Sequence, residues 1–453
     1  MLGKPNIEVI ILAAGDSSRF SPGHKALPEP EGAGLLVELL GSLALIGFEK
    51  PLVVAGPKFP EVGRLARELG ARTTVNREPD RGMFSSVLTG LSCARYRSAV
   101  AFLPVDAGLV SPDSILSLVS FWSEFGPQKN SLAVLPAHGG RLGHPPVLGG
   151  HLAARVRAWG GGGGLRGALA SLAGAGGERG MVLEGLLPPG GPGRDSALRY
   201  LPLDDPMTLC DVDTREDLAR FREIKEGGLF APGPTPQKAL TLLALCGAPH
   251  KLDHSLSVAV GALRLAVALE SAGAGAGAAV LAFVGGILHD LDHGKRRHAK
   301  FAMRHLMSLG WEEAALVVGE HTSLGNGCRR YLGWPLSPFA REQDGEDDGP
   351  EVMAGPVALA SLCVHMADKC IKGPRLVDMD TRFAPENHNV SSPAGLVMLR
   401  LRRADCEALE GWFERLLDRP VRDVIMTPGG HPLEDLVYGV AGTPGGPKIL
   451  VTK

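Results

Sequence analysis

Residues 7–15 read IEVIILAAG, an apolar run of strand length that ends in two alanines and a glycine, and the organisation of the first half of the chain follows from it. What comes next repeats its logic. LLVELLGSLALIG (35–47), EVGRLARELG (61–70) and SSVLTGLSCA (85–94) carry helical spacing, whereas PLVVAG (51–56), TTVN (73–76) and SAVAFLPVD (98–106) are short strand-like runs. Regular strand and helix alternation predicts an α/β doubly wound fold, a parallel sheet covered on both faces. Ligands of such sheets gather at the carboxyl ends of the strands.

The chain has 453 residues, more than one core usually spans, since single cores stop growing near ~250–300 residues. EGGLFAPGPTPQK (226–238) carries three prolines and three glycines and breaks any regular element. It sets the expected organisation: a first domain over 1–225, a linker over 226–240, a second domain over 241–425 and a tail over 426–453. In the second domain ALTLLALCG, SLSVAVGALRLAVALESAG, AAVLAFVGGILHD, HAKFAMRHLMSLG, EEAALVVGEH and PVALASLCVHMADKC all have helical spacing, so an all-α fold is expected there. REQDGEDDGP (341–350) reads as a surface loop, as do the glycine-rich patches at 159–164, 173–180 and 189–193. In the tail only the apolar run KILVT stands out, and it has no assigned place.

Basic and acidic residues nearly balance, 47 against 49, without a long basic run. That gives no electrostatic footprint for nucleic acid or a membrane surface and points to small substrates. The amino terminus lacks the apolar core of a signal peptide, and no later stretch offers ~18 apolar residues free of polar breaks. The expectation is a cytoplasmic protein. Its seven cysteines, scattered and without a CxxC pair, are expected to be reduced.

In ILAAGDSSRFSPGHK (11–25) a strand runs straight into a small-residue loop with one arginine and one lysine. Such a turn lets backbone N–H groups approach phosphates, while Arg19 and Lys25 can neutralise a triphosphate and the charge that develops during transfer. A glycine-bearing loop alone does not exclude an ordinary strand-to-helix turn with two solvated cations. Its company favours the phosphate cradle. Asp106 ends AVAFLPVD, and LCDVDTREDL presents Asp211 and Asp213 just before a helix. A lone aspartate there is more often a helix cap; two carboxylates from separate strand ends are what a Mg2+ ion bridging triphosphate oxygens needs. Asp211 is the weaker candidate, able to orient Asp213 or face solvent.

These motifs, in this order, resemble the MobA-like nucleotidyltransferases, and most nearly the molybdenum cofactor cytidylyltransferases, over the first ~220 residues. The family pattern LAAGxSxRxG followed by lysine is matched by Leu12, Ala13, Ala14, Gly15, Ser17, Arg19 and Lys25. NREPDRGMFSSVLTGL is similar to the segment that contacts base and ribose, which implies nucleotide contacts from Asn76, Gly82, Met83, Ser85 and Ser86. RLGHPPVL resembles the Gly-His-Pro segment near the second substrate, and DVDTREDL the closing metal-binding motif, so Asp106 and Asp213 would hold Mg2+. The resemblance implies a nucleotide-diphospho-sugar transferase fold and transfer of CMP from CTP to a molybdopterin-type acceptor with release of pyrophosphate. Ala13-Ala14 looks more like the CTP-using branch than the guanylyl-transferring one, which usually has glycine at the second position. Phe20 to His24 departs from the pattern by making the loop one residue longer, which alters how Lys25 lies over the phosphates. With no covalent intermediate required, Arg19, Lys25 and Asp106 are the expected catalytic residues.

The second domain contains KLDHSLSVAV, GGILHDLDHGKRRHAKFA, VVGEHTSL and VHMADKCIKG. Histidine and aspartate side chains from separate helices can converge on a divalent metal inside a bundle. His289 and Asp290 are adjacent and cannot project alike from a regular helix; a helix end there would let both reach one ion. His254 by itself is more often a core or surface residue. The ordered set His254, His289-Asp290 and Asp368 resembles the HD superfamily over roughly 240–380, as do GKRRHA and ADKCIKG.

That resemblance implies one metal on His254, His289, Asp290 and Asp368, a second site at His298 and His321, and a transition metal such as Mn2+, Fe2+ or Co2+. Lys295, Lys369 and Lys372 become phosphate-binding candidates, for which a solvated face is an equal alternative, while the role of His293 stays open. The implied chemistry is phosphohydrolysis by a water of lowered pKa, with Asp290 as a candidate proton acceptor. Three readings stand at this stage: a bifunctional transferase and hydrolase; a sugar- or polyol-phosphate nucleotidyltransferase; and a transferase whose helical domain only senses a nucleotide or docks a partner such as a molybdenum hydroxylase.

Overall fold

The computed structural model describes residues 7–20, 23–28, 33–95, 98–173, 178–186, 196–226, 233–294, 297–335, 353, 355–388, 390–428 and 430–441. The chain divides into two compact units, Lys4–Pro232 and Gly233–Lys453. Lys295, the 341–350 stretch and KILVT fall outside the described residues.

In the first unit β1 (Ile7–Ala13) is buried at every residue but Glu8 and lies between β2 (Leu52–Ala55) and β4 (Ala99–Pro104), parallel to both. β3 (Arg72–Val75) extends the parallel part beyond β2. The continuous apolar runs of β1, β2 and β4 are what strands covered on both faces require.

The other half of the sheet corrects the expected parallel arrangement. Among β5 (Ala133–His138), β6 (Arg141–Leu142), β7 (Val147–Gly149) and β8 (Leu198–Pro202), β7 runs antiparallel to both β4 and β5, β6 antiparallel to β5, and only β8 is parallel to β5. The sheet is therefore mixed, in the order β3-β2-β1-β4-β7-β5-β6 with β8 on β5. The cause is the connection: parallel neighbours need a crossover of about a dozen residues or more. Between His138 and Arg141 there are only Gly139 and Gly140, at φ 53° and 79°, the left-handed pair a tight hairpin turn demands.

The second unit is built around Leu252–Ser271, which packs on Ala279–Leu288 and Gly355–Cys370. This helix is long and apolar enough to cross a membrane, yet 78% of its apolar window is buried inside the unit. A Cβ on Gly286 would stand 2.5 Å from the Ala259 backbone, so Gly286 lets the two helices approach closely beside His289, while a Cβ on Gly285 would stand 2.4 Å from the Val317 side chain. The unit is not wholly helical: β9 (Ile371–Lys372) and β10 (Arg375–Leu376) form an antiparallel pair, because Gly373, at φ 60°, and Pro374 turn the chain where the preceding helix ends. Helix Pro236–Cys246 begins inside the stretch expected as linker, capped by Thr235. None of the seven cysteines forms a disulfide.

Helix Pro432–Ala441, from the expected tail, packs on the central helix. Arg264 donates through Nε and Nη2 to the two carboxylate oxygens of Glu434 at 3.1 and 2.9 Å and through Nη1 to the Ile425 carbonyl at 2.6 Å. Both charges are nearly fully buried. Glu434→Ala is expected to cost about 3–5 kcal/mol, because it strands a buried guanidinium. Urea unfolding of the variant checks this, and a loss below about 1 kcal/mol would mean that water reaches Arg264.

Candidate functional site

Two separate sites emerge, one in each unit. In the first, β1 delivers Leu12 to Ala14 and the loop after it to one wall of a cavity of about 240 Å3 also lined by Gly15, Ser17, Arg19, Lys25, Gly82, Met83, Ser86, Asp106 and Asp213. Lys25 is its centre. Its ammonium donates to the Val212 carbonyl at 2.7 Å and to Asp106 Oδ2 at 3.2 Å, and lies 3.5 Å from Asp213 Oδ1; Arg19 pairs with the other oxygen of Asp213 at 2.6 Å. Two carboxylates far apart in sequence thus share one cation.

Asp106 stands in the turn Val105–Ala107 directly after β4. Asp213 does not come from a strand end as expected; Cys210–Thr214 is irregular and leads into helix Arg215–Glu226. The start of that helix is fixed reciprocally, Asp217 N donating to Thr214 Oγ1 at 3.1 Å while Asp217 Oδ2 accepts from the N–H groups of Thr214 and Asp213.

The phosphate-cradle loop carries an open donor. Ser17 holds φ 49°, uncommon for a residue with a side chain, and its buried hydroxyl has no hydrogen-bond partner among the described residues. An orphaned hydroxyl beside Arg19 and Lys25 fits a phosphate oxygen, and the oxygen-only pair Asp106 and Asp213 fits a hard divalent cation.

Two expected nucleotide contacts lie behind the wall. Asn76 is buried; its amide nitrogen donates to Ser85 Oγ at 2.8 Å and Ser86 Oγ at 3.0 Å, and its oxygen accepts from Glu78 N. Asn76 and Ser85 therefore shape the 76–86 segment, whereas Gly82, Met83 and Ser86 face the cavity.

His24, which the motif reading passed over as part of a loop insertion, braces the loop. Buried, it accepts from Ala26 N at Nδ1 (3.1 Å), which leaves Nε2–H to donate to the Gly15 carbonyl at 2.9 Å. The imidazole ties the end of the loop to its beginning. Burial lowers its pKa below 6.5, so this brace is fully present above the unfolded-state value and is lost as pH falls through the folded one. His24→Ala is expected to raise KM for nucleotide about tenfold by loosening the loop; nucleotide titration measures it, and an unchanged KM would show the loop holds without the ring.

A second cavity of about 600 Å3 shares Gly82, Met83, Pro104 and Asp106 with the first. Phe84, Leu135, Leu165 and Val182 give it apolar walls, and Arg81, Arg141, Arg166 and His144 bring positive or polar groups. Asp211 faces this cavity, its carboxyl pushed up by burial and by Asp106 and Asp213.

In the second unit helix Ala279–Leu288 ends at His289, freeing Asp290 to turn away. His254, His289 and Asp368 form one cluster and Asp290, His298 and His321 another, each with one donor atom per residue within 4.8 Å of the others. His289 Nε2 is 3.3 Å from His254 Nε2, and His298 Nε2 is 3.1 Å from His321 Nε2. His289 Nδ1 donates to the Gly286 carbonyl at 2.8 Å and His321 Nδ1 to the Val318 carbonyl at 2.6 Å, so both rings aim an Nε2 lone pair inward. Burial lowers the pKa of both histidines, which favours that neutral form. Imidazoles fixed from behind in this way fit a divalent transition metal.

Burial pushes Asp368 upward, but Arg382, with both carboxylate oxygens within 3.0 Å of Nη2, and Lys369 at 2.5 Å hold it well below the usual carboxylate range. Lys251 lies 3.2 Å from Asp290. Lys369, Lys372 and His293 line the surrounding cavity of about 470 Å3 with Arg402 and His388. Lys251, Arg382 and Arg402 were not foreseen; only KLDH, which places Lys251 one helical turn before His254, carried a local signal.

Among solved structures, a nucleotidyl transferase from Methanothermobacter thermautotroptrophicus is similar at 20% identity and a TM-score of 0.38, over 49% of this chain and 98% of that one. The 4-diphosphocytidyl-2C-methyl-D-erythritol synthase of Anaerococcus prevotii is similar at 14% identity and 0.34, over 49% and 96%. A CMP:2-keto-3-deoxy-manno-octonic acid synthetase solved with CTP is similar at 13% and 0.36, over 49% and 99%. No curated protein matches the chain. With the Lys25-centred cavity at the end of β1 and β4, the match of residues 9–175 identifies that part of the chain as a MobA-like NTP transferase domain.

Proposed function

We propose that the first unit transfers CMP from CTP to molybdopterin or its metal-loaded form, releasing pyrophosphate, and that the second is a metal-dependent phosphohydrolase of the HD type. The observation that carries the first reading is the convergence of Asp106 and Asp213 on Lys25 beside the orphaned Ser17 hydroxyl. Ser17 and the loop backbone would hold the triphosphate, with Arg19 and Lys25 neutralising charge as the bond to pyrophosphate breaks. Asp106 and Asp213 would hold Mg2+, which when bound supplies Lewis-acid stabilisation of the phosphate oxygens. The adjoining cavity suits a mostly organic acceptor whose phosphate meets Arg141 or Arg166 and whose oxygen attacks the α-phosphorus in line.

Pyrophosphate release is measured with Mg2+, each of the four nucleoside triphosphates in turn, and molybdopterin. Release with CTP, together with a cytidylylated pterin, supports the reading. Release only with a sugar or polyol phosphate would replace the acceptor, and release with none would remove the transfer reaction.

For the second unit the supporting observation is the pair of carboxylate and histidine clusters with two rings oriented from behind. His254, His289, Asp290 and Asp368 would hold one ion, with His298 and His321 available to a second. A bound ion would lower the pKa of water, and Lys369 and Lys372 would meet the substrate phosphate.

A further inference from the structure

The two large cavities of this chain differ in kind. The one beside the transferase site has apolar walls from Phe84, Leu135, Leu165 and Val182. In the cavity over the histidine and aspartate clusters, Phe383 is the sole apolar side chain among the described residues that line it. Even that ring is taken: it is nearly fully buried and stacked against His388, with centroids 6.1 Å apart and planes at 18°. Five basic side chains, Lys251, Lys369, Lys372, Arg382 and Arg402, face two carboxylates, Asp290 and Asp368. The two carboxylates engage Lys251, Lys369 and Arg382. Arg402 adds a buried Nε without a hydrogen-bond partner among the described residues.

Pockets for drug-sized organic ligands are predominantly apolar with a few polar groups. An acyl chain finds no apolar wall here, whereas a small, densely charged phosphate anion meets the five cations. We propose that this cavity takes a compact diphosphate, inorganic diphosphate itself, and hydrolyses it. The inference rests on the phosphohydrolase reading and adds its substrate. One water oxygen bonds to one phosphorus, the bridging P–O bond breaks with its electrons staying on the leaving phosphate, and the protons of the water are shared between the two orthophosphates formed. Nothing is oxidised or reduced. The compound is also what a nucleotidyl transfer releases, so its removal would draw that transfer forward.

The test uses the full chain. Loaded with Mn2+, it is given inorganic diphosphate, CDP, CTP and p-nitrophenyl phosphate while orthophosphate is measured. Metal-free, it is titrated calorimetrically with methylenediphosphonate, which cannot be hydrolysed, and with CMP. Diphosphate is expected to be cleaved with a kcat/KM at least about tenfold above any nucleotide, and Arg402→Ala to raise KM and weaken methylenediphosphonate binding by about tenfold, as loss of a charge-assisted contact does. Lys372→Ala, at an exposed position, gives a second variant should Arg402→Ala fold poorly, and the same direction is expected. Preferred cleavage of CDP, CTP or p-nitrophenyl phosphate would overturn the substrate and leave the phosphohydrolase standing. Tight, Arg402-dependent methylenediphosphonate binding without hydrolysis of any compound would sustain the diphosphate site and remove the hydrolase; no binding and no hydrolysis would overturn both.

Discussion

Asp106→Ala is expected to lower CTP-dependent pyrophosphate release by about 10³-fold, the scale of losing a group that organises transition-state charge. Stability should barely change. Lys25 keeps Asp213 at 3.5 Å and the Val212 carbonyl at 2.7 Å, so no charge is left stranded when the Asp106 carboxylate goes. Steady-state rates beside a thermal melt separate the two effects. Activity within about threefold of the parent chain would show that Asp213 alone organises the site. A fall in melting temperature matching the fall in rate would instead make the Asp106 carboxylate a fold group, acting through its bond from Lys25.

His289→Ala is expected to lower the affinity of the second unit for Mn2+ by about 100-fold or more, beyond what loss of an outer-shell partner alone costs. His289 is fully buried and points Nε2 at His254 while Nδ1 is spent on the Gly286 carbonyl, so its removal takes an oriented nitrogen out of the cluster. His250→Ala, at the exposed rim of the same cavity and outside both clusters, is the control that should retain metal. Elemental analysis after dialysis reads both. Equal metal content in the two variants would leave the histidines as packing, and the sensor reading of the helical unit would gain.

Much of the first sheet was legible because parallel strands buried on both faces leave unbroken apolar text, as in Ile7–Ala13 and Ala99–Pro104. The antiparallel return at 133–149 was not, since β6 and β7, of two and three residues, carry no periodicity and the Gly139-Gly140 turn between β5 and β6 was not read as a hairpin. Arg19, Lys25, Asp106 and Asp213, which the fold brings to one cavity, were readable as candidates because each stands within a contiguous motif. Asn76 shows the limit of that method: its place in the motif was readable, but which way its amide points was set by Ser85, Ser86 and Glu78. Arg382 and Arg402 were beyond reach because they come from later elements whose approach to Asp368 and the cavity is purely tertiary.

The Arg264 and Glu434 pair bears on how the protein can be taken apart. A recombinant fragment ended at residue 425, where the proposed metal-ligand motifs are already complete, would omit Glu434 and Tyr438 and keep a guanidinium buried on the same helix that carries His254. Such a fragment would understate stability and solubility, and any metal affinity measured on it, for reasons unrelated to either cluster. Expression boundaries and protease-trimmed forms of this unit therefore have to keep residues through Ala441 to report on the site at all.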